Sequence, residues 1–398
     1  MVGLTEPMSA EIEGRLEKMG VEVVGEIREL NVVVAKVPEY QSTAALEKED
    51  WIDYAEPVYT TSVEFIPNDP FFGLQWGPTK IQAPEAWNIA TGNRRVLVAV
   101  LDTGVSYTHP DIAPNYVLGG YDWVNMDNDP SDDNGHGTQC AGIIAAALDN
   151  GLGIAGLAQV SLMAEKSLDS VGAGTTLSAA QAIVHAVDFG TANYDRVILS
   201  CSWGFYVDSS LVRNAIQYAY SRGCLIVASA GNDATSQPHY PSGYAEVISV
   251  SATDIDDNPY ASNNFGKMDL SAPGVDIYST FLGSGYGYRT GTSMAAAHTS
   301  GLAALFWSRH TSYSQDEIRF LMQSSSEDLG SPGWDPYFGH GRINALRLLQ
   351  ARTGRIVGGE TLEVDKLRIL SPYLYFLAGL AVASLVFQRN LTLRQVSH

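Results

Sequence analysis

Positive charge is scarce in this chain. Its 398 residues carry 24 lysines and arginines against 44 aspartates and glutamates, a formal net charge of -20. A phosphate backbone needs a basic surface, so nucleic acid is excluded as a partner. The acidic excess serves solubility, and locally clustered carboxylates are candidates for binding cations. Cysteine is scarcer still, with only Cys140, Cys201 and Cys224. At most one bridge can form, so there is no disulfide framework, and buried free thiols are the simplest reading. The opening MVGLTEPMSAEIEGRLEKMG has no basic start and no long apolar run, and does not read as a secretory leader. Internal repeats and low-complexity segments are absent.

Apolar residues are plentiful, at 45% with 10% aromatics, enough for a sizeable core. Residues 1–64 read as a small α+β unit. EIEGRLEKMG spaces Ile12, Leu16 and Met19 for a helix, and VEVVGEIREL and NVVVAKV alternate like paired strands. A second helix and a closing strand follow in TAALEKEDWIDYAEP. Residues 65–350 alternate strand and helix signals, which implies an α/β fold with a mostly parallel central sheet and helices on both faces. Functional residues belong at the carboxyl ends of such strands. Asp102 and Asn232 each end an expected strand, while His136 and Ser293 each open an expected helix. Residues 351–368 read as a linker and 388–398 as a short tail. Between them, Ile369–Phe387 is uncharged and flanked by Arg368 and Arg389. About 20 apolar residues span a bilayer core, so 369–387 is a candidate membrane anchor; a buried helix is the rival.

Four segments carry chemistry. GTSMA places Ser293 at the start of an apolar helix, where the dipole is positive; a serine there is also an ordinary helix cap. GHGT sets His136 between glycines that allow close backbone approach, although a lone histidine is more often structural. VLDTGV ends a strand in Asp102, which alone could be a turn residue. Together, Asp then His then Ser is one of the orders in which a nucleophilic triad occurs. A serine hydroxyl needs an adjacent base, a role that fits His136, and Asp102 would fix the tautomer of that base. In ASAGND, Asn232 could donate a side-chain N–H to an oxyanion, with the Ser293 backbone N–H as second donor.

VLDTGV, GHGT, ASAGND and GTSMA, in this order, resemble the subtilases, and the chain is similar to their thermitase-like members. NDPFFGLQWGPTKIQAPEAW and the closing HGRINA extend the resemblance from near Phe65 to near Leu349. It implies a subtilisin-like serine endopeptidase acting on protein or peptide substrates. Such enzymes bind an extended peptide by strand addition, here between Gly172-Ala173-Gly174 and Ser202-Trp203-Gly204. It also implies structural calcium held by Asp69, Asp111, Asn150 and the carbonyls of Ala147, Leu152 and Ile154. Asp122, Asn125, Asp127 and Asp129 would form a weaker second cluster. Residues 1–64 resemble the family's propeptide, which implies a zymogen that cuts itself between about Tyr59 and Ile66. Such units normally begin with a strand, which the sequence here does not display. This suggests that the true start lies upstream and explains the missing leader. The expected location is extracellular or at the cell surface.

Three departures from the family pattern stand out: Ala297 where proline is usual, Gln139 in place of a second histidine, and the bulky Trp203-Gly204-Phe205. Ala297 motivates a rival reading as a peptide ligase or macrocyclase using the same acyl-enzyme. A non-catalytic binding protein on the same fold is a third reading, opposed by the intact triad and Asn232.

Overall fold

The computed structural model describes residues 1–38, 43–56, 58 and 65–351. The expected linker, the 369–387 anchor and the tail therefore lie outside the described residues, as does most of the expected cleavage stretch. Among the described residues no helix is long and apolar enough to cross a membrane. The chain forms two compact units, Met1–Val63 and the remainder from Glu64.

The first unit contains β1 (Val2–Leu4), α1 (Ala10–Lys18), β2 (Glu22–Ile27), β3 (Val32–Lys36), α2 (Thr43–Leu46) and β4 (Ile52–Ala55). The strands form an antiparallel sheet in the order β2-β3-β1-β4. Ser9 caps α1 by accepting the Ile12 N–H, and Ile12 and Leu16 then point into a core with Val2, Leu4, Val33, Leu46 and Trp51. The strand expected to be missing is present. β1 precedes α1 and is a central strand, paired with both β3 and β4. Three residues are too few to show alternation, so its strand character comes from non-local pairing.

The second unit opens with α3 (Trp76–Lys80) and α4 (Ala83–Trp87). Alternation follows: β5 (Val96–Asp102), α5 (His136–Ala145), β6 (Ser161–Lys166), α6 (Thr176–Asn193), β7 (Arg196–Cys201), α7 (Ser210–Ser221), β8 (Leu225–Ser229), β9 (Val247–Thr253) and β10 (Leu270–Pro273). A hairpin of β11 (Ile277–Thr280) and β12 (Tyr286–Arg289) leads into α8 (Thr292–Arg309), then α9 (Gln315–Ser324) and α10 (Ala345–Gln350). Six strands pair in parallel in the order β10-β9-β8-β7-β5-β6.

β5 shows how the sequence builds this. In VLVAVLD, Val96, Val98 and Val100 pack with α5 and α8, whereas Leu97, Ala99 and Leu101 pack with α6 and α7. Both faces are covered, so the strand is apolar throughout. Each such Val or Leu contributes about 1.5–3 kcal/mol by burial. Helix α8 is buried along its length from Thr292 to Ser308, which its run of Ala, Gly, Ser and Thr permits. Strand order reverses between β5 and β7, and a crevice forms outside the carboxyl ends of strands at such a point.

Candidate active site

Asp102 is the last residue of β5 and has no exposed surface. Its Oδ1 accepts the Thr103 N–H and His136 Nδ1, each at 2.7 Å. Its backbone carbonyl accepts the N–H groups of Ser167 and Leu168, which locks the carboxylate to the loop after β6. His136 opens α5 directly after Gly135, whose φ of 97° is left-handed and suits glycine. Burial alone would pull the imidazole down, but the charge and hydrogen bond of Asp102 outweigh it, and the net position lies above the ordinary histidine value.

Asp132 organises this corner and was not singled out from the sequence. Its Oδ1 accepts the N–H groups of Asn134 and Gly135 and the Thr103 hydroxyl. Its Oδ2 accepts the Thr138 N–H and hydroxyl. The carboxylate therefore ties the start of α5 to the residue after Asp102. An Asp four residues before a helix-opening His was the available signal. Cys140, one turn after His136, is a buried free thiol as expected, and the structure adds its place beside the pair. Its thiol lies within 4.8 Å of ligand atoms of Asp102 and His136, and burial pushes it well up, so it stays protonated.

Ser293 is the second residue of α8 and is 8% exposed. It is held against the end of β7 by a reciprocal pair: its hydroxyl donates to the Ser202 carbonyl and the Ser202 hydroxyl donates to its carbonyl, both at 3.1 Å. Asn232 does not end β8 as expected but lies three residues beyond Ser229, past Gly231 at φ 100°. Its Oδ1 accepts the Thr292 N–H at 2.9 Å and the Thr292 hydroxyl at 3.1 Å. The oxygen is thus engaged, and Asn232 Nδ2 and the Ser293 N–H are left without acceptors among the described residues.

Of the expected substrate segments, Gly172, Ala173 and Gly174 are exposed and shaped by Asp169, whose Oδ1 accepts the Ala173 N–H at 2.9 Å. Gly174 bridges to Leu168, just beyond β6. Ser202, Trp203 and Gly204 follow β7, and Trp203 stacks on Phe205 at 6.2 Å. Gln139 is buried and its Nε2 donates to the Gly287 carbonyl at 2.9 Å, joining α5 to β12. Ala297 is buried within α8.

The expected first cation set is also brought together. Asp69 and Asp111 are buried and carry no Lys or Arg ion pair among the described residues. Asp111 accepts the Ile154 N–H at 2.8 Å and Asn150 Nδ2 at 2.9 Å, and Asp69 accepts the Asp149 N–H at 2.8 Å. Burial, chiefly, raises both carboxyls, with the charge of Asp111 adding to the rise at Asp69. The carbonyls of Ala147, Leu152 and Ile154 accept no hydrogen bond among the described residues. In the second cluster, Asp122 instead accepts the N–H groups of Val124 and Asn125 and the Asn125 side-chain amide. Asp127 accepts the Asp129 N–H, and Asp129 accepts Ser131 and Tyr107 hydroxyls. All but the Tyr107 bond are local to the loop.

A buried Asp–His pair and a helix-opening serine outside the end of a parallel sheet are the residue types of a serine hydrolase, although the Ser293 hydroxyl bonds to Ser202 and not to His136 among the described residues. Residues 93–341 match the subtilase family model. Thermitase of Thermoactinomyces vulgaris is 41% identical over 72% of this chain and 100% of its own length. A thermophilic serine proteinase of Bacillus sp. (strain AK1) is 40% identical over 76% of this chain and 73% of its own. The structure of sphericase matches with a TM-score of 0.60 and 33% identity, covering 64% of this chain and 93% of that one. The chain belongs to the subtilase family. It is a serine endopeptidase by class, with proteins as substrates.

Proposed function

We propose that the chain cleaves extended peptide substrates through an acyl-enzyme on Ser293. The observation that carries this is the 2.7 Å contact between buried Asp102 and His136, combined with two unengaged donors beside Ser293. In this reading the Ser293 proton leaves the Ser202 carbonyl for His136 as Oγ attacks the scissile carbon. The oxyanion accepts from the Ser293 N–H and Asn232 Nδ2. His136 returns the proton to the leaving amine, and water then attacks the ester by the same route. Asp102 holds the tautomer and stabilises the imidazolium. Gly172–Gly174 and Ser202–Gly204 flank the substrate backbone. Peptide cleavage that tracks the titre of reactive Ser293 is the test, and cleavage without a reactive Ser293 would contradict it.

Transfer of the same acyl group to an amine is the second reading. What favours it is Ala297, buried in an unbroken helix four residues after the nucleophile. Product analysis with added amine decides: hydrolysis alone rejects it.

Calcium is the cofactor that fits the first cation set. Two buried carboxylates without a cationic partner, beside three unengaged carbonyls, suit a hard cation. Asp69, Asp111 and Asn150 with the carbonyls of Ala147, Leu152 and Ile154 would hold it, and it would supply structural neutralisation only. Residues 1–64 are read as the chain's own propeptide and the enzyme as extracellular. The run 369–387 would anchor it to a membrane; recovery of full-length protein in the aqueous phase of a detergent partition contradicts that.

A further inference from the structure

Arg289 is the last residue of β12, four positions before Ser293. Its guanidinium lies 5.3 Å from the centroid of the Phe281 ring. That ring packs on the backbone that leads into His136: a Cβ on Gly135 would meet Phe281 Cε2 and Cζ at 2.9 Å. Phe281 and Arg289 thus form a wall beside the candidate base. A guanidinium stacked on a ring keeps its edge N–H groups available for a planar anion.

The guanidinium has no carboxylate of its own among the described residues. The acids of this corner are engaged elsewhere: Asp132 is bonded by Thr103, Thr138 and the Asn134 and Gly135 N–H groups, and Asp102 Oδ1 by Thr103 and His136, while Asp102 Oδ2 is buried with no hydrogen-bond partner and no ion pair to Arg289 among the described residues. The charge of Arg289 nevertheless reaches the site, where it opposes protonation of His136.

Its place relative to the scissile bond follows from the chemistry. The leaving amine takes its proton from His136, so the residues after the scissile bond pass that imidazole. Hairpin β11–β12 is bonded to α5, through Gln139 to Gly287 and Thr280 to Thr138. The segments Gly172–Gly174 and Ser202–Gly204 instead extend from β6 and β7.

We propose that Arg289 is a specificity-determining residue on the leaving-group side, selecting a carboxylate within the first two residues after the scissile bond. This rests on the endopeptidase reading above. The carboxylate could belong to an Asp or Glu side chain or to a substrate's terminus.

The test uses internally quenched, amidated peptides identical except for Glu, Gln or Lys at each of those two positions. A second pair ends there in a free acid or an amide. Glu should exceed Lys in kcat/KM by about fivefold to tenfold at low salt, with Gln between and the gap shrinking at high salt. Arg289→Gln should bring the Glu to Lys ratio near one, while Arg289→Lys keeps most of it. This ratio does not depend on how much of a variant folds. Arg289→Gln should also move the acid limb of kcat/KM to higher pH, because a charge opposing imidazolium is gone. Preference confined to the free-acid pair would assign a terminal carboxylate; preference among the amidated peptides assigns a side chain. A wild-type ratio near one in both sets, or one unchanged in Arg289→Gln, overturns the inference. If no peptide is cleaved and a serine-directed phosphonate leaves Ser293 unlabelled, the endopeptidase reading falls and takes this inference with it.

Discussion

The side-chain oxygen of Asn232 accepts the backbone N–H of Thr292 at 2.9 Å, so the orientation of its amide is set by the residue before the nucleophile. One bond therefore couples the loop after β8 to the start of α8 and leaves Nδ2 as the open end. Asn232→Leu removes that donor without adding charge. Loss of one such donor costs about 10²–10³ in kcat, the size of the effect in subtilisin. The expected result is a fall of that size in kcat with KM little changed, read from steady-state kinetics. A wild-type kcat would remove Asn232 from the oxyanion site.

Chelation should lower the melting temperature. A ligand bound only by the folded state stabilises it by about 3–4 kcal/mol at 100–1,000 times its Kd. The sign with pH is specific. The folded-state carboxyls of Asp69 and Asp111 lie above their ordinary values, so the metal-free fold is favoured below the unfolded-state value and loses stability as pH rises through the folded values. The gap between loaded and chelated protein should widen from mildly acidic to neutral pH. Equal gaps at both, or no gap once metal is shown to have left, would contradict the site. Asp111→Ala should behave as the chelated protein does.

The precursor should be cut between about Tyr59 and Ile66, and only by itself. Mass spectrometry of purified wild type and Ser293→Ala checks this. A Ser293→Ala chain that is processed when pure would rule out self-cleavage.

Much of this is legible in the sequence alone. The apolar run VLVAVLD reports both faces of β5 because each face has its own helix layer, and the glycines around His136 mark a backbone that must come close. What escaped the sequence was non-local. β1 is three residues long and becomes a strand only by pairing with β3 and β4. Asp132 looks like one acid among several in DNDPSDD, and only the fold turns its carboxylate onto five donors. The hydrogen bonds that Asp122 and Asp129 accept, from Val124, Asn125, Ser131 and the distant Tyr107, could not be read from the acidic run either. Arg289 is anonymous in YGYRTGTS until the hairpin sets it over Phe281.

The central claim is that Ser293 is the nucleophile served by His136 and Asp102. The most direct measurement is active-site labelling with a serine-directed phosphonate, followed by peptide mapping, in wild type, Ser293→Ala and His136→Ala. The account predicts stoichiometric label on Ser293 in the wild type, none in Ser293→Ala at unchanged melting temperature, and strongly slowed labelling in His136→Ala, since groups acting as a unit fail together. Label on another residue, or labelling of Ser293→Ala at the wild-type rate, would contradict it.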